Sequence, residues 1–223
     1  MMKYYPVYLD IRSKQCLVVG GGRVAVRKVQ GLLQAGAVVT AVSPEFAEGF
    51  DSLAQSGALE MIRRSYATAD LEGKFLVIGA TDNNELNRKI SRDAESRNIL
   101  CNIADVPDAC NFILPSVVRR GDLMIAISTS GKSPAFARHL RKQLENQFGE
   151  EYTEFLRLMG AVRKKLLAEQ HAPEAHKPLF EALISGGLPE MIRSGRSDEA
   201  DKLLHEILGD GFDCSSLMNT NGE

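Results

Sequence analysis

Between residues 16 and 103 the chain alternates short, wholly apolar runs with amphipathic stretches. Cys16–Gly20 (CLVVG), Val38–Val42, Phe75–Ala80 and Ile99–Ile103 are runs of buried-strand type, and Leu59–Ile62 is a weaker one. Ala25–Ala35 repeats apolar residues at helical spacing (Ala25, Val29, Leu32, Leu33), and Gly36 stands just past it as a stop signal. Glu85–Arg97 reads as a polar amphipathic helix. Strands apolar on both faces and separated by helices predict an α/β domain, its parallel sheet covered on each side.

The pattern changes after Asp105. Asn111–Pro115 reads as a crossing segment. Ser116–Arg119 and Leu123–Ser128 are strand-like on either side of the turn signal Arg120–Gly121–Asp122, which predicts a hairpin. STSGKSP (128–134) then leads into a helix with Phe136, Leu140, Leu144 and Phe148 on its apolar stripe. A second helix from about Glu150 places Tyr152, Phe155, Leu156, Met159, Val162 and Leu166 on one face. Helical sequence continues, with breaks expected at Pro173, Pro178, Gly186–Pro189 and Gly195. The tail GFDCSSLMNTNGE has no periodicity and is expected to lack regular structure. The expected domains are 1–113 for the sheet, 114–148 for the hairpin and its helix, and 149–210 for a helical domain, followed by the tail 211–223.

A net charge of -2 over 223 residues leaves no basic surplus for a phosphate backbone, so nucleic acid is not an expected partner. The N-terminus has no signal-peptide pattern, and no apolar run is long enough to span a bilayer. A cytoplasmic, membrane-free protein is expected. Cys16, Cys101, Cys110 and Cys214 form no CxxC pair. Cys16 and Cys101 sit in apolar runs as small core residues.

The strongest local motif is Gly20–Gly21–Gly22–Arg23–Val24–Ala25. It fits G-x-G-x-x-A, and it lies where a strand turns into a helix. Gly20 permits the tight turn, Gly22 lets backbone approach a pyrophosphate, and Ala25 lets the helix pack closely on the strand. The helix N-terminus offers amide donors to the anion. This is a Rossmann-type dinucleotide signature. About 20 residues further on, such folds often carry an acid for the ribose hydroxyls. Here the strand ends Val42–Ser43–Pro44–Glu45, so Ser43 or Glu45 is left to reach the ribose. No Arg follows for a 2′-phosphate, which favours NAD over NADP. Thr81 and Asp82 follow the Phe75 strand at the edge where doubly wound sheets bind ligands, and either can instead cap the next helix. Asp105 follows the last strand at that edge, as a candidate general base or a plain turn residue.

The segments VVGGGRVAVRK (18–28), AGAVVTAVSP (35–44), ATD (80–82), CNIAD (101–105), NFILPS (111–116) and STSGKSPAFARHLR (128–141) occur in that order. Together they resemble the precorrin-2 dehydrogenase and sirohydrochlorin ferrochelatase family, the first module of siroheme synthase, over roughly residues 3–167. The resemblance implies a Rossmann domain, a central dimerisation segment and a helical C-terminal domain in a homodimer. It implies NAD-dependent oxidation of precorrin-2 to sirohydrochlorin. In some members it also implies insertion of ferrous iron, which is a substrate and needs no resident metal site.

The family's catalytic aspartate falls on Asp105 of the CN-x-x-D segment. Its nucleotide contacts fall on Gly22, Arg23 and Val24 and on Ser43, Pro44 and Glu45. Asn102, Ser128, Thr129, Ser130, Lys132 and Arg138 are the candidate substrate contacts. A polycarboxylate tetrapyrrole calls for an electropositive site, and residues 116–142 carry Arg119, Arg120, Lys132, Arg138, Arg141 and Lys142 against the acid Asp122 of the turn. The other reading of these cations is a solvated helix face, with Ser133 as an N-cap. A serine phosphorylated in some members matches Thr129 here. His139, His171, His176 and His205 show no metal-ligand spacing. Three alternatives remain: a chelatase without dehydrogenase activity, an NAD-sensing regulatory module, and a dehydrogenase for another small molecule.

Overall fold

The computed structural model describes residues 3–55, 57–169 and 173–219. The chain divides into two compact units, with the boundary between Leu114 and Pro115. In the first, β1 (Gln15–Val19), β2 (Val38–Ser43), β3 (Leu59–Arg63), β4 (Leu76–Gly79) and β5 (Leu100–Ile103) form one parallel sheet in the order β3-β2-β1-β4-β5. The order reverses beside β1, and a doubly wound sheet opens its ligand crevice at such a switch point.

The strands are apolar on both faces because both faces are covered. Helices α1 (Arg23–Gln34) and α2 (Gly49–Ala54) bury Ala25, Val29, Leu32 and Phe50 against Cys16, Val18, Val39 and Ile78. On the other face α3 (Asn84–Glu95) buries Ile90 and Ala94 against Leu17, Val19, Val77 and Cys101. The successive residues of one strand thus feed two cores, as the period of a pleated strand requires. Burial pushes the Cys16 thiol up to about 11 and the Cys101 thiol up to about 12, so both stay neutral core residues. All four cysteines are free thiols.

The second unit begins with an antiparallel hairpin, β6 (Ser116–Arg120) and β7 (Leu123–Ile127), turned at Gly121 with φ +55°. Helix α4 (Pro134–Gln147) covers one face of it through Ala137, Val118 and Ile127. Helices α5 (Glu151–Ala168), α6 (Pro173–Ser185), α7 (Leu188–Arg193) and α8 (Ser197–Leu208) enclose a core of Phe155, Leu158, Val162, Leu166, Leu183 and Leu204. Among the described residues no helix is long and apolar enough to cross a membrane.

Two expectations are corrected here. Pro178 does not break the helix; it lies inside α6 on an exposed position, where the carbonyl it leaves without a donor is not forced into an apolar core. The tail also has structure: α9 (Cys214–Asn219) packs back on the helical core, with Phe212 and Leu217 buried. Lys165 holds the entry to it, its ammonium donating to the Gly211 carbonyl at 2.5 Å and lying 4.3 Å from the Phe212 ring centre. Asp213 caps the new helix through the Ser216 amide at 2.8 Å. Periodicity missed α9 because two anchoring side chains in a six-residue helix define no stripe. Phe212→Ala is expected to cost about 3 kcal/mol, the range for a buried aromatic, as a lowered midpoint in urea unfolding of the chain. An unchanged midpoint would mean that the tail adds no stability.

Candidate active site

The turn after β1 is built from three glycines with three different reasons. Gly20 has φ +127°, and a Cβ there would lie 2.3 Å from the Ala80 carbonyl oxygen at the end of β4. A Cβ on Gly21 would lie 1.8 Å from the Glu45 carbonyl oxygen and 2.7 Å from Ser43 Oγ. Gly22, by contrast, faces open space, with nothing within 4 Å of a Cβ. The first two glycines are therefore required by the backbone that follows β4 and β2. The third leaves a clearing on the outside of the turn.

That clearing lies at the head of α1. Gly22 is its N-cap, extended at φ -82°, and no side chain caps the first turn. Amide donors there have no helical partner, and the helix dipole adds positive charge. A pyrophosphate fits such a cradle: it needs backbone donors and close approach, and this turn offers both. Around the clearing, Arg23 is exposed and Val24 half-buried. Ser43 is buried beneath the turn, while Pro44 and Glu45 are exposed at its rim. The Ala47 amide donates to the Gly21 carbonyl at 2.8 Å and ties this rim to the turn. Arg63, unmarked in the sequence, stands beside Ser43 at the end of β3, with its guanidinium 5.4 Å from the Phe46 ring centre.

At the end of β4, Thr81 is committed to the fold. Its hydroxyl donates to Asn87 Oδ1 at 2.8 Å and accepts from the Asn83 amide at 3.2 Å. Asn87, buried and unforeseen, returns a bond from Nδ2 to the Thr81 carbonyl at 2.9 Å. The cap of α3 is neither Thr81 nor Asp82 but Asn83, whose side chain accepts from the Leu86 amide at 3.0 Å. Asp82 is exposed at the same edge.

Asp105 lies just past β5, exposed, in the left-handed region at φ +61°. Asp is one of the few residues that tolerates this region. Asn102, three residues before it on β5, is buried, and its amide nitrogen donates to the Phe112 carbonyl at 3.0 Å. Asn111 receives the Cys101 amide at 2.7 Å and donates to the Ile99 carbonyl at 3.0 Å, fastening the return segment to β5. Lys28, half-buried on α1, also belongs to this neighbourhood. Burial holds its ammonium below the usual lysine range and Arg27 adds to this, while the Asp105 carboxylate acts against both.

In the second unit, the loop after β7 folds on itself. The Ser128 hydroxyl accepts from the Ser130 amide at 3.0 Å, and the Thr129 hydroxyl from the Ser133 amide at 3.1 Å. Ser130 (φ +52°) and Gly131 (φ +80°) are both left-handed, which exposes Ser130 and Lys132 at the tip. Ser133 does cap α4, accepting from the Phe136 amide at 3.2 Å. Not every cation counted in the sequence is available. Arg120 is bound to the Glu145 carbonyl at 3.0 Å and to Glu150 at 3.3 Å, and Arg141 pairs with Glu145. Arg119, Lys132, Arg138 and Lys142 remain exposed, as does His139. His171 lies outside the described residues.

Comparison with known proteins adds an independent line. Residues 7–116 match the family described as putative NAD(P)-binding, and residues 120–147 the one described as sirohaem biosynthesis protein central. The chain is 37% identical over 211 residues to the siroheme synthase of Nitrosococcus oceani, covering 95% of this chain and 45% of that protein. It is 38% identical over 212 residues to the siroheme synthase of Thioalkalivibrio sulfidiphilus, covering 95% and 43%. It thus spans less than half the length of these relatives. Among solved structures it matches SirC, precorrin-2 dehydrogenase, with a TM-score of 0.72 at 27% identity over 92% of this chain and 98% of that one. The parallel sheet with its uncapped glycine turn, continued by a segment that matches the sirohaem central model, is thus similar in fold to SirC and in sequence to part of the siroheme synthases.

Proposed function

We propose that this chain oxidises precorrin-2 to sirohydrochlorin with NAD, and that Asp105 is its base. The observation that carries the reading is the pairing of two features on one sheet edge. An uncapped glycine cradle follows β1, and an exposed carboxylate on a left-handed turn follows β5, with β4 between them.

When bound, NAD supplies the hydride acceptor. The rest falls to the protein. Gly22, Arg23 and Val24 hold the pyrophosphate on the head of α1. The rim of Pro44 and Glu45, with Ser43 beneath it, takes the adenosine ribose, and Asp82 lies along the adjoining edge. Asp105 accepts the proton that leaves the substrate carbon, a role its open carboxylate fits. Asn102 serves this base from within, by holding the chain that follows it. The same carboxylate suits chelation of ferrous iron, a second substrate, by accepting the pyrrole protons that metal entry releases.

The exposed cations of the second unit are assigned to the carboxylates of the tetrapyrrole, with Ser128, Thr129 and Ser130 shaping the loop that presents Lys132. Lys132→Glu and Arg138→Glu are each expected to raise KM for the tetrapyrrole about tenfold with kcat unchanged. In steady-state kinetics the effect should shrink as salt rises toward about 1 M, where the screening length is about 3 Å. Equal KM values at low salt would remove these residues from the substrate site. The outward face of the hairpin, with Val117 and Met124 exposed, is assigned to contact between two copies in a homodimer.

The test of the reading is anaerobic incubation with precorrin-2 and NAD, with NADP and no nucleotide as comparisons. Formation of sirohydrochlorin only with NAD supports it. No conversion by a folded, nucleotide-binding chain rejects it in favour of a chelatase or a sensor.

A further inference from the structure

The segment that carries Asp105 is tied to β4 by the Ala104 amide, which donates to the Gly79 carbonyl at 2.8 Å, and to the end of β5 by sulphur. Cys110 Sγ accepts from the Ile103 amide at 3.1 Å. It lies 3.3 Å from the Ile103 carbonyl oxygen and 3.3 Å from that of Val106, with one S–H proton to share between them. Ile103 and Val106 bracket Ala104 and Asp105. One thiol is therefore bonded to the backbone on both sides of the residue whose carboxylate is exposed.

The surrounding bonds show that the thiol is itself held in place. The Ser91 hydroxyl donates to the Ala109 carbonyl at 2.9 Å, just before Cys110. Asn111, just after it, is fixed to Cys101 and Ile99. Asn102 Nδ2 lies 3.7 Å from the same sulphur. Past Ala104 the turn's own closing bond is weak: the Val106 amide reaches the Ile103 carbonyl at 3.4 Å, a long bond. A non-glycine residue in the left-handed region persists only where its surroundings over-determine it. Here those surroundings are the Ala104 and Ala109 backbone bonds, to Gly79 and Val106, and the sulphur contacts, which reach both Ile103 and Val106 from one side chain.

We propose that Cys110 is a positioning residue for Asp105: its thiol bridges Ile103 and Val106 and so holds the left-handed turn that aims the carboxylate. The proposal rests on the reading of Asp105 as the base. It explains why a half-exposed cysteine, with no cysteine or histidine at ligand spacing, stands at this point of the chain.

The experiment compares Cys110→Ala and Cys110→Ser with the unaltered chain, by steady-state oxidation of precorrin-2 with NAD and by amide hydrogen exchange. A misplacement of about 1 Å in a reacting group can cost on the order of 100-fold. A turn that keeps its aim only part of the time is expected to lose about tenfold in kcat, with KM and the Kd for NAD within about twofold. Cys110→Ser keeps a donor and an acceptor with a shorter reach, and should recover part of the loss. Exchange at the Val106 amide should quicken about tenfold in Cys110→Ala, without a matching change across β1 and β4. A purely structural role would instead lower thermal stability and leave kcat of the folded fraction alone.

A Cys110→Ala protein with unchanged kcat overturns the proposal. If the unaltered chain does not oxidise precorrin-2, the dehydrogenase reading fails separately. The positioning claim is then decided by Val106 exchange, which upholds it if quickened and overturns it if unchanged.

Discussion

Asp105→Asn is expected to lower kcat for precorrin-2 oxidation by about 10²- to 10⁴-fold, the range a positioned general base contributes. The Kd for NAD should stay within about twofold, because the cradle at Gly22 lies on another strand end. Asparagine is the cleaner substitution here, and the backbone says why. Residue 105 has φ +61°, a region Asn enters at least as readily as Asp. Alanine at the same place adds about 1 kcal/mol or more of backbone strain, so Asp105→Ala mixes loss of the base with disturbance of the turn. Stopped-flow or steady-state rates, read beside NAD titration, check the prediction. A variant that turns over within a few-fold of the unaltered chain would strip Asp105 of the role.

The second large effect separates two neighbouring glycines. Gly21→Ala places a methyl group 1.8 Å from the Glu45 carbonyl oxygen, a backbone atom that cannot swing aside. Overpacking of this kind costs about 1–3 kcal/mol, and the rim at 43–45 has to move. Thermal unfolding should show it as a lower midpoint. Gly22→Ala meets no atom of the protein, and its φ of -82° suits any residue. Its stability should stay within about 0.5 kcal/mol of the unaltered chain. Its methyl group occupies the clearing where a pyrophosphate must approach, so NAD affinity should fall about tenfold or more, a loss of about 1.4 kcal/mol. Unchanged NAD binding by Gly22→Ala would move the nucleotide away from this turn.

Much of the first unit could be read before the structure, because its signals are local. CLVVG, the glycine turn and the stripe Ala25–Val29–Leu32 each carry their meaning within a dozen residues, and the strands and α1 stand where the pattern puts them. What stayed hidden depends on contacts between distant segments. Gly21 matters because the Glu45 carbonyl, just past β2, lies against it, and no motif spacing reports that contact. Arg120 and Arg141 counted as free cations in the sequence, yet backbone and side-chain oxygens of one helix turn claim them. Thr81 read as a candidate contact and proves to be tied to Asn87, which no pattern marked. The left-handed turn at Asp105 is a backbone property that the letter Asp allows but does not announce.

The central claim is that this chain carries the redox step itself. The most direct measurement is anaerobic and simultaneous: NADH formed against sirohydrochlorin formed, from precorrin-2 and NAD, with Asp105→Asn alongside. The account predicts equal amounts of the two products at every time point, and almost none of either with the variant. NADH without sirohydrochlorin, sirohydrochlorin without NADH, or equal turnover by Asp105→Asn would contradict it.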